Sequence, residues 1–279
     1  MKNRMLVQNL KDCIDETVMV QGFVETIRDQ KKMQFLILRD HTGKAQLTHM
    51  KDLTNDDLIG STISSLTLES TVSIVGKVVD APQVKLGGLE IQIDSVKVHS
   101  IAESPLPIAL DSTLDKQIDW RQISLRYPKN LLIFQVQTIA EQAMRDYWLK
   151  NGFLEIHSPK LMGTASESGG ELFEVPYFND RMAYLAQSPQ FYKQMAMAAG
   201  FDRVFEIGPV FRANPSFTSR HDTEFTSVDM EISWIDSHED IMHIEEEWLQ
   251  LVLREVQEKC GAKIRELYNR EIVVPTVPF

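Results

Sequence analysis

A chain of 279 residues, 43% hydrophobic and 25% charged, is long enough for two domains and too ordinary in composition for disorder or a disulfide scaffold. Its formal net charge of −11 excludes gripping nucleic acid through bulk positive potential, so any RNA contact must rest on local side chains. No run of 18 or more apolar residues and no charged-then-apolar leader occurs, which predicts neither membrane insertion nor secretion and a cytoplasmic protein.

Cys13 and Cys260 are far apart and lack CxxC spacing, so reduced thiols and no zinc site are expected. The acidity is uneven. Residues 1–103 carry 12 Lys and Arg against 14 Asp and Glu, and the remainder carries most of the excess.

From Thr17 to His99 the chain runs in short alternating segments, VMVQGFVETI, FLILRDHTGKAQLTH, TVSIVGKVV and LEIQIDSVKVHS, divided by turn residues. About five strands follow from that pattern, with NDDLIGSTISSL as a helix between the second and third runs. A five-stranded barrel interrupted by one helix is the OB arrangement, and another small β-barrel fits the pattern equally. Residues 104–129 hold Pro105, Pro107 and Pro128 without sustained periodicity and are expected to link two domains.

LLIFQVQTIAEQAMRDYWLKNG then has helical spacing, with Gly152 as its stop. FLEIHSP is expected as a strand ended by Pro159, and AYLAQ as another. In SPQFYKQMAMAAG, Ser188 suits an N-cap, Pro189 the first helical position and Gly200 the close. Two long strands, RVFEIGPVFR and EFTSVDMEISW, flank a loop, and residues 238 to about 263 form a last amphipathic helix.

Period-2 geometry puts Glu206, Gly208 and Arg212 on one face of the first long strand, with Phe205, Ile207, Pro209 and Phe211 on the other. In the second, Phe225, Ser227, Asp229, Glu231 and Ser233 oppose Thr226, Val228, Met230, Ile232 and Trp234. Either the polar faces are merely solvated or they carry chemistry. The loop favours chemistry: Arg212, Arg220 and His221 offer forked and point donors suited to a polyphosphate, and Phe225 offers a surface on which a flat base stacks.

The run FEIGPVFRANPSFTSRHDTEFTSVDMEISW resembles motif 2 of the class II aminoacyl-tRNA synthetases, in their aspartyl, asparaginyl and lysyl branch. The resemblance implies that Arg212 holds the ATP α-phosphate and is the catalytic arginine, that Arg220 and His221 reach the γ-phosphate, and that Phe225 stacks on adenine. Asn214 stands where that branch usually has Glu, which removes a carboxylate from the site. KNGFLEIHSPKLM resembles motif 1, with Pro159 at a homodimer interface. TASESGGELF resembles the lid that closes over the amino acid, with Glu167 meeting the substrate ammonium.

LAQSPQFYKQ resembles the aspartyl form, archaeal-like in type, in which Gln190 and Lys193 contact L-aspartate; a cation suits a substrate with a carboxylate side chain. GFVETIRDQKKMQFLILRDHTGKAQL resembles the anticodon-binding OB domain of the same branch, which assigns Arg28, Phe35, Gln46 and Glu90 to anticodon bases.

The implied fold is α+β, with an OB barrel in 1–103, a linker in 104–129 and part of an antiparallel-sheet catalytic domain in 130–279. The implied partners are ATP with Mg2+, L-aspartate, tRNA and a second copy of the chain. The glycine-rich motif 3, with its second ATP arginine, has no match, so an N-terminal portion, inactive alone, is expected, with the metal ligands in the part beyond. Two alternatives stay open: a non-catalytic paralogue that binds RNA or dimerises, and an asparaginyl enzyme. Whether tRNA for aspartate alone or also for asparagine is charged is expected to turn on residues 30–32 and 85–88.

Overall fold

The structure, a computed structural model, describes residues 4–54, 56–166, 172–215, 218 and 221–278. Two compact units are present, Met1–Arg126 and Tyr127–Phe279.

In the first unit, strands β1 (Thr17–Asp29), β2 (Met33–Arg39), β3 (Lys44–Met50), β4 (Thr71–Asp80) and β5 (Leu89–Ser100) close a barrel in the order β1-β2-β3-β5-β4. Only β3 and β5 pair in parallel. This order, with helix α1 (Leu58–Ser65) between β3 and β4, is the OB arrangement and decides between the two barrels the pattern allowed. Alternation explains the closure. Val20, Val24, Leu36, Leu38, Leu47, Ile74 and Ile91 all point inward, each at most 1% exposed, and each such burial is worth roughly 1.5–3 kcal/mol.

Gly76 is required where β4 meets β5, because a Cβ there would collide with the Gln92 carbonyl. The Asp57 carboxylate caps α1 by accepting from the Gly60 N–H at 2.8 Å, and Ile63 seals the barrel. Residues 104–126, read from the sequence as linker, contain two short helices, α2 (Leu114–Asp119) and α3 (Arg121–Ser124). Arg126 is held by Glu69 at 2.9 Å and lies 4.1 Å over the Phe23 ring, so the break between units falls just after it.

The second unit opens with α4 (Pro128–Lys150), which begins at a proline whose missing N–H has no helical partner to lose. Then come β6 (Leu154–Glu155), β7 (Leu161–Met162), β8 (Glu174–Tyr177), β9 (Arg181–Leu185), α5 (Gln190–Ala198), β10 (Arg203–Phe211), β11 (Glu224–Ile232) and α6 (His238–Tyr268). One sheet runs β11-β10-β6 and a second β7-β9-β8. The expected FLEIHSP strand contributes only two paired residues, and of AYLAQ only Ala183, Tyr184 and Leu185 lie in β9, the middle strand of the small second sheet. Ser188 Oγ accepts from the Gln190 N–H at 3.3 Å, while Pro189 takes the N-cap, so the helix starts one residue later than expected.

The apolar faces of β10 and β11 pack on α4 and α6. Phe205, Ile207, Val228, Met230 and Ile232 meet Tyr147, Trp148, Ile244, Trp248 and Leu251. Trp148 lies at the centre, stacked on Trp248 at 5.2 Å and 4.7 Å from Phe205 between ring centroids. Helix α6 starts on a reciprocal capping box of Ser237 and Asp240 and ends where Asn269 turns left-handed at φ 51°.

Candidate functional site

With one face of the β10–β11 pair buried on helices, the other is left for chemistry. Residues Glu206 and Asp229 are direct cross-strand partners, as are Gly208 with Ser227 and Val210 with Phe225. Arg212 leaves the end of β10 with its backbone N–H donating to the Thr223 carbonyl at 2.9 Å, and its guanidinium carbon stands 5.5 Å from the Phe225 ring centroid. That places a forked cation beside an aromatic surface, the pair a nucleotide's phosphate and base require. His221 is exposed, its Nδ1 2.7 Å from Thr218 Oγ1. Asn214 is exposed at the start of the same loop. Arg220 and Glu167 lie outside the described residues.

Four positions along β11 from Phe225, about 13 Å at strand rise, Asp229 meets Lys193 of α5. The Lys193 Nζ donates to Asp229 at 2.7 Å and approaches Glu231 at 3.2 Å. Burial works against the lysine's charge, but the hydrogen bond and charge of Asp229, followed by those of Glu231, outweigh it and raise its pKa above the ordinary lysine value. Lys193 therefore stays a cation in a half-buried setting. Gln190, one turn earlier on α5, is half-buried. The same face thus carries a nucleotide-type pair at one end and a fixed ammonium at the other.

Strand alternation put a third group, Glu206, on this face but gave it no partner. Glu206, 5% exposed, accepts from Lys160 Nζ at 2.7 Å, Ser158 Oγ at 2.7 Å and the Ser158 N–H at 3.2 Å. An acid in the middle of a largely buried strand was the available signal, since buried carboxylates need counter-charges. Pro159, between those two residues, is exposed, as are Leu154 and Leu161 beside it.

On the barrel, Arg28, Phe35, Gln46 and Glu90 all line one hollow of about 600 Å³, together with Thr26, Met33, Ile37 and the 83–86 loop. Their convergence follows from register. Arg28 is paired with Phe35, and Thr26, Ile37, Gln46 and Glu90 form a row across four strands, all on the outward face. Gln46 Nε2 donates to Glu90 at 3.2 Å, and Thr48 Oγ1 to the same carboxylate at 3.4 Å. An aromatic ring, a guanidinium and a side-chain amide around one hollow can stack an unpaired base and read its edge. Lys85, within the 85–88 stretch expected to bear on tRNA choice, is part of the wall; Gln30, Lys31 and Lys32 are not.

Among the described residues no group of three or more His, Cys, Asp and Glu side chains is placed to hold a metal ion. No helix among them is long and apolar enough to cross a membrane.

Residues 113–276 match the family described as tRNA synthetases class II (D, K and N), and residues 18–98 match the OB-fold nucleic acid binding domain. The aspartate–tRNA(Asp/Asn) ligase of Methanopyrus kandleri is 41% identical over 95% of this chain and 61% of its own length. The aspartate–tRNA(Asp) ligase of Thermococcus kodakarensis is 38% identical over 95% of this chain and 60% of its own.

Among solved structures, the asparaginyl-tRNA synthetase of Pyrococcus horikoshii complexed with asparaginyl-adenylate superposes with a TM-score of 0.88 at 31% identity, covering 99% of this chain and 64% of that one. The aspartyl-tRNA synthetase of Entamoeba histolytica superposes at 0.80 and 27% identity, covering 96% and 59%. The chain therefore spans about 60% of the length of the curated relatives it matches. Motif, barrel and sheet agree with these matches over nearly the whole sequence: the chain belongs to the class II tRNA synthetases of the D, K and N group.

Proposed function

We propose that the complete protein is an aspartate–tRNA ligase, which activates L-aspartate with ATP and transfers it to tRNA. The observation that carries this reading is the single polar face of β10 and β11, with Arg212 beside Phe225 at one end and Lys193 fixed by Asp229 and Glu231 at the other. Adenine stacks on Phe225, Arg212 holds the α-phosphate, and Arg220 and His221 reach the γ-phosphate. The amino acid lies toward Lys193 and Gln190, with Glu167 on its ammonium. Its carboxylate attacks the α-phosphorus, pyrophosphate leaves, and Arg212 steadies the charge that builds on the phosphoryl oxygens. No enzyme nucleophile takes part. Magnesium offsets phosphate charge when it accompanies ATP, and its ligands are assigned to residues beyond these 279.

Lys193 favours a carboxylate side chain over an amide, which separates this reading from an asparaginyl enzyme. The barrel hollow takes the anticodon through Arg28, Phe35, Gln46 and Glu90, and the exposed Leu154, Pro159 and Leu161 belong to a homodimer contact. The test is aminoacylation by the complete protein with aspartate and with asparagine, on tRNA for each. Charging with aspartate is expected on the aspartate tRNA, and the asparagine tRNA in parallel shows whether both are accepted. Charging with asparagine alone, or with neither amino acid, sinks the proposal.

A further inference from the structure

The polar face holds three carboxylates, Glu206, Asp229 and Glu231, and two lysines, Lys160 and Lys193. Lys193 already serves two of the carboxylates. Glu206 is the third, it is nearly inaccessible to water, and it stands directly across the strand pair from Asp229. Cross-strand partners bring their Cβ atoms to about 4.5–5.5 Å, where like charges repel. Gly208 leaves room for the Glu206 side chain to lie along the strand, with Oε1 3.2 Å from where a Cβ would stand. Lys160 lies on the same side, its Cε 3.7 Å from that point, and also donates to Ser158 Oγ at 3.0 Å.

We propose that Lys160 is a positioning residue that sets the preference of the site for an acidic amino acid, by neutralising Glu206 so that the charge of Lys193 is not shared with a third carboxylate. The proposal rests on the reading of Lys193 as the contact for the substrate's side chain. Remove Lys160, and Glu206 is left as a buried charge with only the Ser158 donors. It then adds its field to those of Asp229 and Glu231. The positive potential that an aspartate side chain meets at Lys193 therefore falls. A neutral amide side chain, which draws little on that potential, is affected far less.

The experiment measures amino-acid activation by the complete protein, as pyrophosphate exchange, in the wild type, K160M, K160R, E206Q and the double variant K160M/E206Q. In K160M the KM for aspartate is expected to rise about tenfold, with the KM for ATP unchanged and discrimination against asparagine reduced. K160R keeps the wild-type values, because the charge is retained. The double variant recovers most of the discrimination, since the uncompensated carboxylate is gone with the lysine.

E206Q, which needs no loss of a cation, is expected to lower the KM for aspartate; it keeps the proposal testable should K160M fail to fold. An unchanged aspartate KM in K160M overturns the proposal. So does a double variant as impaired as K160M, which shows a purely structural role, or a raised aspartate KM in E206Q. Failure of the wild type to activate aspartate is a different result, and removes the reading of the site itself.

Discussion

Phe35 shows what one residue's position can decide. Its neighbours Leu36 and Leu38 carry the alternation into the barrel core and are fully buried, while Phe35 is turned outward into the hollow with Arg28, Gln46 and Glu90. Phe35→Ala is therefore expected to leave the fold intact, with circular dichroism and the melting temperature close to wild type. Binding to RNA bearing the aspartate anticodon should weaken by about tenfold, in line with roughly 1–3 kcal/mol for base stacking on an aromatic ring. Equal affinity in a binding titration would remove Phe35 from the RNA surface.

The family resemblance pointed to these four positions, and the register of the barrel strands turns them toward one hollow. The role of Lys160 was not legible. Its partner Glu206 is 46 residues away, and only the arrangement of β10 beside the segment after β6 brings the two together. Asp229 and Glu231 were legible as a polar face of β11, but their pairing with Lys193 depends on how α5 packs there.

Elements with long, strongly periodic patterns came through the sequence well: all five barrel strands, α4, β10, β11 and α6. The last helix runs five residues past the expected Lys263, because it ends at the left-handed Asn269 rather than at a glycine or proline. Strands β7 and β8 escaped because pairs of two to four residues leave no readable period, and their partner β9 is supplied by tertiary contact. Helix α1 was expected, but what anchors it was not.

Asp29, at the end of β1, accepts from Lys51, from Ser64 on α1 and from Gln34 on β2. Those three hydrogen bonds, Lys51 first, hold its carboxyl at about 2, below the ordinary 3.8. A carboxylate favoured by the fold contributes stability above its unfolded pKa and loses it as pH falls through the folded one. The anchoring of α1 is therefore expected to be pH-independent near neutrality and to weaken from about pH 4 toward 2. In Asp29→Asn that part of the acid sensitivity should vanish; an acid-unfolding curve identical to wild type, followed by circular dichroism, would refute the anchor.

At the scale of the molecule, the two units differ in how much of their task they contain. The barrel closes on itself, and the hollow that gathers its four candidate residues is formed by residues 26–90 alone. The second unit supplies Arg212, Phe225 and Lys193, whereas the glycine-rich motif with a second ATP arginine has no counterpart in these 279 residues, and relatives extend over a further two-fifths of their length. The 279-residue chain is thus expected to bind RNA yet show no aspartate-dependent pyrophosphate exchange above background. Robust exchange by this chain would mean that Arg212 and its neighbours suffice for activation. The sequence pointed to a linker at 104–129, whereas the Arg126–Glu69 clasp depends on a pairing distant in sequence.

The end of β11 gives the molecule an optical probe of its own. Of the four tryptophans, Trp148 and Trp248 are stacked in the apolar core, Trp120 is partly shielded, and Trp234 is 90% exposed at a left-handed turn, with its indole N–H donating to Asp202 at 3.0 Å. Buried Trp148 and half-buried Trp248 are expected to emit at shorter wavelength and to be less open to aqueous quenchers. Trp234 is expected to emit as an indole in water, from the end of the β10–β11 pair opposite the one that bears Arg212. Anything that settles over that end of the sheet is expected to shift its light toward the blue and shield it from iodide, a contact that can be followed without a label.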